Sequence, residues 1–415
     1  MVIEMYEVKV EKLDHQGRGI SHIEDKIVFI ENALPGEIVK IKITKQNKKI
    51  IEASVIDYIV KSDYRVDSKC PYYNECGGCD LLHLSYEQQT QYKEYKIKEI
   101  MNRYAGIDNE KIKQIVPCDH QFNYRNKVTL KVNTKIGYYK KKSYDIVDIN
   151  NCLIANNKIN NAILEIKKYH VPECINELVI RSVNEDDISL TIYLQKEDNI
   201  NIFISKLEYL FNSIKVIVKD KVIKQAGESN IIGRLGNFSY QMSQTAFFQV
   251  NTAQTIKLYD KVREYVKKNV SPTVLDLYCG TGTIGIYISN YAKKVTGIEI
   301  NPEAIVDAKV NAEKNEVKNI DFFAGDTKEL LNHGDYKANV IIVDPPRSGL
   351  DEEVIKDIIK INPKEIIYVS CDPITLARDL KMFSDKYKVT EITPFDMFPN
   401  TYHVECVVLL RHKKF

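Results

Sequence analysis

Val274-Leu-Asp-Leu-Tyr-Cys-Gly-Thr-Gly-Thr-Ile-Gly285 reads as a buried strand, a glycine turn and the opening of an apolar helix. Glycines at 280, 282 and 285 satisfy the Gly-x-Gly-x-x-Gly fingerprint of a dinucleotide-binding turn. Four more apolar runs follow, and each stops at a residue able to do chemistry. Residues 295–298 end at Glu299, 320–323 lead to Gly325-Asp326, 340–343 end at Asp344-Pro-Pro-Arg-Ser-Gly349, and 366–369 lead to Cys371. Open α/β sheets bind ligands outside the carboxyl ends of their strands. This succession therefore predicts a doubly wound α/β domain whose strand ends share one crevice. A single acid in such a place could simply cap the next helix, and a lone cysteine is more often core. Five in order are hard to obtain by accident.

The chain of 415 residues is long enough for two or three domains with ample cores. Its hydrophobic content of 44% and charged content of 28% are ordinary for a soluble protein. A net charge of +2 means that any nucleic-acid site must be a local patch. The N-terminus carries Glu4 and Glu7 and no long apolar run, which argues against a signal peptide. No apolar stretch is long enough to span a membrane. Nine cysteines, an odd number, point to a reducing cytoplasm and to metal-binding or catalytic thiols.

Strand-like runs at 8–10, 27–30, 37–43 and 50–56 are separated by Gly17-Arg18-Gly19 and Leu34-Pro35-Gly36-Glu37, the spacing of a small β-barrel. The stretch Val10-Glu-Lys-Leu-Asp-His-Gln-Gly-Arg-Gly-Ile20 with Leu34-Pro-Gly-Glu37 resembles a TRAM domain, an OB-like barrel attached to RNA-modifying enzymes. Next comes Cys70-Pro-Tyr-Tyr-Asn-Glu-Cys76-Gly-Gly-Cys79. Three thiols so spaced are a strong metal signal, because the two glycines let the backbone wrap closely. A four-thiol site needs one more ligand, Cys152 or its rival Cys118, and spacing does not separate zinc from an iron–sulfur cluster.

Residues 85–104 place Tyr, Ile and Met at helical spacing among Lys and Glu, a packing helix that ends at Gly106. From His120 to Lys142 there are seven Lys or Arg and no acid, with Phe122, Tyr124, Tyr138 and Tyr139 interleaved. Basic groups neutralise phosphates while aromatic faces stack on unpaired bases. Arg125-Asn-Lys127 is the densest polar point of this stretch. Residues 160–240 alternate apolar and polar and suggest an antiparallel sheet completed around the cysteines.

Asp276-x-x-x-Gly280-x-Gly282 also fits the first motif of S-adenosylmethionine (SAM) methyltransferases. Asp344-Pro-Pro is similar to the motif of enzymes that methylate exocyclic amines of adenine, yet Arg347 and a strand-end cysteine follow it. RNA cytosine-5 methyltransferases carry a cysteine beside that proline; here Pro346 takes the place. What remains resembles the RNA 5-methyluridine (uracil-C5) methyltransferase family, in its 23S rRNA branch with a TRAM domain and a [4Fe-4S] cluster. The residues that carry it are Ala246-Phe-Phe-Gln-Val-Asn251, Asp276-Leu-Tyr-Cys-Gly280, Asp344-Pro-Pro-Arg347, Val369-Ser-Cys-Asp-Pro373 and His403-Val-Glu405.

The resemblance implies a fold, a reaction and a site. The fold is α/β: a TRAM barrel over 1–60, a central mainly antiparallel RNA-binding domain over 61–240, and a Rossmann-like SAM-dependent methyltransferase domain over 241–415. The helical segment near 83–118 is expected to pack with the last of these. The reaction is methyl transfer to C5 of a uridine in 23S rRNA, through a covalent bond between Cys371 and uracil C6. Glu405 is the base that removes the C5 proton. On the residues alone His403 is its rival, two positions away on the same strand face, and Cys406 faces the other way. Gln249, Tyr278, Gly280, Glu299, Asp326 and Asp344 are implied to contact SAM, whereas Thr283 stands where the family often has Asn. Phe247 or Phe248 stacks on the target base, and Arg125 and Lys127 grip the RNA. Cys70, Cys76, Cys79 and Cys152 match the cluster ligands, and the enzyme is expected in the cytoplasm as a monomer. Two other classes compete: an NAD-linked oxidoreductase, which gives Cys371 and Glu405 no role, and a non-catalytic RNA-binding protein.

Overall fold

The computed structural model describes residues 5–184, 187–228, 230–243, 246–334 and 336–414. Residues 1–4 of the expected barrel therefore lie outside the described residues. The carboxyl-terminal sheet contains β1 (Thr273–Leu277), β2 (Lys294–Glu299), β3 (Ile320–Ala324), β4 (Val340–Val343), β5 (Glu365–Ser370), β6 (Tyr387–Phe395) and β7 (Glu405–His412). Their order is β3-β2-β1-β4-β5-β7-β6. β1 to β5 are parallel, and β7 runs antiparallel between β5 and β6. Strand order reverses between β1 and β4, which opens a crevice at their carboxyl ends. Helices cover both faces, so β4 and β5 are buried throughout, as parallel strands must be. Ile342, Ile367, Val369, Val407 and Leu409 enter the core on one face. Ile341, Ile366, Tyr368, Val408 and Leu410 enter the core on the other.

Two segments outside residues 241–415 belong to this unit by packing. Helix Tyr86–Ile100 buries Ile97 and Ile100 in the second core, as Ile112 and Ile115 also do. Ile112 and Val116 then bridge in parallel to Ile392 and Phe395 of β6, at the sheet's edge. The hairpin Asn230–Leu235 and Phe238–Ser243 sends Ile231, Leu235, Tyr240 and Met242 into the first core. Helix Pro302–Lys314 covers the hairpin's outer edge: Asn315, Asn311 and Asp307 accept from the N–H groups of Ser239, Gln241 and Ser243. A boundary at 240 would cut that second strand. The correction is that the hairpin from residue 230 packs with the α/β unit, because its apolar face has no other core to enter.

The central sheet has seven strands in the order Lys221–Gly227, Ser213–Val218, Ser189–Leu194, Ile175–Arg181, Lys127–Val132, Ile136–Tyr139 and Ile146–Asp148. It is antiparallel except for the pair Ser189–Leu194 and Ser213–Val218. Helix Asn157–Ile166 closes its core. At the N-terminus, Met5–Lys9, Lys12–Leu13, Gly19–Ile23, Lys26–Glu31, Ile38–Gln46 and Ile50–Val60 form a curled six-stranded sheet with its own core. Gly19, read from sequence as a turn residue, opens a strand there. Gly17 has φ +80, and a Cβ on it would meet Leu81 at 2.7 Å, so the curled sheet sits directly on the cysteine-bearing loop.

Candidate active site

The two-residue period of a strand sets the site's composition. Val274, Ile342, Val369 and Val407 all enter the first core. Two residues further along β1, beyond β4 and beyond β5 stand Asp276, Asp344 and Cys371, and two residues before Val407 stands Glu405. All four therefore lie on one face of the sheet. The β5–β7 ladder ends at the pair Ser370 and Cys406, so Cys371 and Glu405 are its next opposing positions. Glu405 is held on its other side by pairing with Phe395. Cys406 turns into the opposite core, which removes it from the site.

Burial raises every acid in this group, and the Asp344 charge adds to the rise of the others. Burial pushes Glu405 up to about 8, with the Asp344 charge adding and Arg347 opposing. Asp344 rises to about 7 through burial alone. Asp276 rises to about 8 for the same reason and through Asp344. Neither of its carboxylate oxygens has a hydrogen-bond partner of ordinary geometry, although the Gly285 N–H is close enough to favour its charge. The Cys371 thiol is pushed up to about 12 by burial, then by Glu405 and Asp344, and Arg347 acts to lower it. A thiol, two carboxylates and a guanidinium thus meet at the end of β5 and β7. Positive charge added beside these three acids would favour the ionised form of each.

His403 lies outside the ladder, because β7 begins only at Glu405, so strand parity does not bind it to the face of Glu405. Its ring lies against Tyr402 at 4.2 Å between centroids and edge-on to Phe398 at 6.0 Å. Burial and the cations Arg347, Lys96 and Lys93 lower its pKa to about 4, so it is neutral at pH 7. The premise that made it a rival base is corrected by where the strand starts.

Around β1 and β2 the backbone is shaped for close approach. Tyr278, Gly280 and Gly282 all have positive φ, and a Cβ on Gly282 would meet the Phe322 ring at 2.6 Å. The Glu299 carboxylate accepts from the N–H of Gly280 at 3.1 Å and of Asn301 at 2.9 Å. Asp326 caps helix Thr327–His333 by accepting from Lys328 and Glu329. Burial and the charges of Asp326, Asp351 and Asp379 raise the Tyr278 phenol to about 12. Thr283 gives its hydroxyl to a bond with Tyr259 at 2.8 Å. The Gln249 carbonyl accepts from Asn126 at 3.1 Å, which fastens this segment to the central sheet.

The three thiols named from spacing come together with Cys152, the fourth that the resemblance implied. Cys70, Cys76, Cys79 and Cys152 line one cavity of about 190 Å³ with Tyr72, Leu82 and Tyr138. Burial, with the nearby Cys152 sulfur adding, raises the thiols of Cys70, Cys76 and Cys79, that of Cys76 to about 11. Among the described residues no group of three or more His, Cys, Asp or Glu is set to hold a single metal ion. Cys118 is elsewhere: its sulfur donates to the His120 carbonyl at 3.1 Å and accepts from Asn251 at 3.3 Å.

Beside the cavity runs a groove of about 620 Å³ to which all parts of the chain contribute. Arg18 comes from the curled sheet, Arg125, Lys131 and Lys140–Lys142 from the central one, and Arg347 with Phe398 and 401–403 from the α/β unit. Lys127 does not line it. Its partner across the ladder is Arg181, and burial with Arg181 and Arg125 lowers it to about 8. Phe247 is 73% exposed whereas Phe248 is core, so only Phe247 is available for stacking. Sequence reasoning missed Gln89, Lys93 and Lys96, three buried polar groups on helix Tyr86–Ile100. Their spacing of four and three residues along one stripe was the available signal.

The model of the tRNA (Uracil-5-)-methyltransferase family matches residues 85–413, and that of the TRAM domain matches 1–56. The chain belongs to the RNA uracil-5-methyltransferase family. Among its relatives, an uncharacterized RNA methyltransferase of Bacillus cereus is 36% identical over 98% of this chain and 96% of its own. Another, of Clostridium acetobutylicum, is 35% identical over the same shares. A Pyrococcus abyssi tRNA (uracil-54, C5)-methyltransferase, solved with S-adenosyl-L-homocysteine, superimposes with a TM-score of 0.82 at 29% identity. The match covers 97% of this chain and 99% of that one. Membership makes this protein an RNA methyltransferase and leaves the oxidoreductase reading without support.

Proposed function

We propose that this uracil-5-methyltransferase uses SAM to methylate C5 of a uridine in 23S rRNA, through a covalent adduct of Cys371. The observation that carries the reading is the placement of Cys371 and Glu405 at opposing positions beyond the β5–β7 ladder, with Asp344 on the same face. Uracil C5 is too weak a nucleophile to take a methyl group unaided. The Cys371 sulfur, having lost its proton to solvent, adds to C6 and sends the ring's electrons toward O4, so that C5 becomes nucleophilic. SAM supplies the methyl group to C5 as an electrophile and leaves as the neutral thioether. Glu405 then takes the proton from C5, the electrons restore the C5–C6 double bond, and the sulfur departs with the pair it brought.

The residues present suit this cofactor. A sulfonium cation brought beside Asp344, Glu405 and Cys371 offsets their repulsion and favours the thiolate. The turn at Gly280–Gly282 would admit the cofactor's amino-acid part, and Gln249 and Tyr278 would help to hold it. Glu299 and Asp326 would receive the ribose and adenine edges, in addition to the backbone groups they already bind. Arg125 and Phe247 serve the RNA, and the partly buried Lys127 acts through charge rather than contact.

A [4Fe-4S] cluster held by Cys70, Cys76, Cys79 and Cys152 is part of the proposal. Four soft sulfur donors around a cavity, rather than about one point, suit a polynuclear group better than a single ion. Methyl transfer has no redox step, so its role is structural. The enzyme acts as a cytoplasmic monomer, where its RNA is.

A second reading, the same chemistry on tRNA, is favoured by one observation: the archaeal tRNA enzyme matches this chain along nearly its full length. Possession of the N-terminal domain therefore does not separate the two substrates. The test uses labelled SAM and RNA from cells lacking the protein. Ribosomal and transfer RNA are incubated separately with wild type and Cys371→Ala, digested and assayed for 5-methyluridine. Label in ribosomal RNA with wild type alone is expected. Label in transfer RNA would keep the chemistry and replace the substrate; equal label with both proteins would remove Cys371 as nucleophile.

A further inference from the structure

Asn400 is 2% exposed and adopts the left-handed conformation, φ +68. Every polar group it has is used. Its N–H donates to Gln89 Oε1 at 2.9 Å, and its Oδ1 accepts from Gln89 Nε2 at 3.2 Å. Its carbonyl accepts from the N–H groups of Asp80 at 2.9 Å and Leu81 at 3.0 Å. Its Nδ2 donates to the Gln121 carbonyl at 2.7 Å. Gln89 Nε2 donates in turn to the carbonyls of Leu81 and Leu84. One asparagine thus ties together the loop that carries Cys79, helix Tyr86–Ile100 and the start of the basic stretch.

The same network reaches the active site. Tyr402 N–H donates to the Asp80 carboxylate at 3.3 Å, and Lys96 donates to the Tyr402 carbonyl at 3.0 Å. Lys93 holds the Phe398 carbonyl at 3.0 Å, and Tyr124 holds that of Pro399 at the same distance. Phe398, Tyr402 and His403 form one rim of the groove, while Gly77, Gly78 and Asp80 line it from the cysteine loop. Asn400 itself does not line the groove. Glycine would accept the backbone angle but supplies no bonds. Aspartate would set an oxygen against the Gln121 carbonyl where Nδ2 now donates.

We propose that Asn400 is a positioning residue that locks the thiol-bearing loop to the RNA-facing rim, so that one network sets both. The proposal rests on the groove being the RNA site, as read under Proposed function. It assigns to the cysteine loop a mechanical task at the substrate, carried by the side chains of Gln89, Asn400 and Asp80 and the backbone of Tyr402.

The test is amide hydrogen exchange on the full chain without RNA, comparing wild type with Asn400→Gly, Asn400→Asp and Gln89→Met. Exchange at 79–84 and 398–403 is expected to quicken together by about tenfold, the factor for one net hydrogen bond, while β5 is unchanged. In methylation assays of the same variants KM for RNA rises by about tenfold and kcat stays within about threefold, as loss of uniform binding requires. Faster exchange at 398–403 alone overturns the coupling. Uniformly faster exchange through the chain would mean plain destabilisation and also overturns it, as does a kcat loss at unchanged KM. Because the exchange measurement needs no RNA, it remains decisive if wild type methylates no uridine, and the two failures are told apart.

Discussion

Lys93 and Asp396 lie 303 residues apart in the chain and form an ion pair at 2.5 Å, with neither side chain reaching solvent. The pair fastens helix Tyr86–Ile100 to the turn beyond β6, just before the rim at Phe398. Removing one partner of a buried pair strands the other charge, at a cost of about 3–5 kcal/mol. Lys93→Met is expected to lose stability on about that scale in urea unfolding, and Lys93→Met with Asp396→Leu much less. Equal losses in the single and double variants would mean that Asp396 is not left uncompensated.

In the proposed reaction, the opposing placement of Cys371 and Glu405 makes two halves that can be stopped separately. Glu405→Gln keeps the nucleophile and removes the proton acceptor. It should accumulate RNA joined to protein and already methylated, visible as a shifted band on a denaturing gel. Cys371→Ala should give neither the band nor product. A Glu405→Gln enzyme that turns over normally without the adduct would assign the proton to another base.

The raised acids fix how stability depends on pH. Burial holds Asp276 near 8, Asp344 near 7 and Glu405 near 8, above the ordinary carboxylate range. Between the ordinary value and the raised one the folded protein binds more protons than the unfolded chain. Stability therefore falls as pH rises across that window and levels off above about 8. Asp276→Asn carries no charge at any pH, so it should gain stability over wild type progressively from pH 5 to 8 in thermal melts. A constant difference between the two proteins across that range would show that Asp276 is not protonated in the folded state. Release of methylated RNA, the step that needs the base, should quicken over the same range as Glu405 ionises.

Much of the site was legible because strands impose a period of two. Runs leading to Asp344 and Cys371 could be read as strands, and their ends were expected on one crevice with the turn after Asp276. Glu405 and Cys406 were separable by the period of two. What could not be read was the start of β7. His403 and Glu405 share parity in sequence, but the chain reaches the ladder only at 405, because residues 398–403 bond to helix Tyr86–Ile100 and the cysteine loop instead. The role of that helix was hidden for a related reason. Lys and Gln are normally surface residues, and partners far along the chain, Asp396 for Lys93 and Asn400 for Gln89, help to make their burial tolerable. Hairpin 230–243 was misassigned because alternation shows a strand but not which core receives it.

Adjacent phenylalanines separate stacking from packing. Phe247 is exposed and Phe248 is 5% exposed in the core, where its ring meets the hairpin at Gly233. Phe247→Ala should leave unfolding unchanged and weaken RNA binding by about 1–3 kcal/mol, the scale of one base stacked on an aromatic ring. Phe248→Ala should instead cost about 3–5 kcal/mol of stability. Unchanged RNA affinity in Phe247→Ala would exclude the ring from base contact.

The thiol cavity makes a prediction that its rival cysteine checks. Cys152 is far from Cys70–Cys79 in sequence yet lines the same cavity, while Cys118 is engaged with His120 and Asn251. If the four thiols hold an iron–sulfur cluster, protein purified without oxygen should contain iron and acid-labile sulfide in equal amounts. Cys79→Ser and Cys152→Ser should lose both, and Cys118→Ser should keep both. Thiolates form readily only against compensating positive charge, and burial already holds Cys76 and Cys79 protonated. Stripping the metal should therefore leave neutral thiols and a cavity without its filling, and the loop should become more open to proteolysis. Zinc without sulfide in the purified protein would keep the ligand set and replace the cluster.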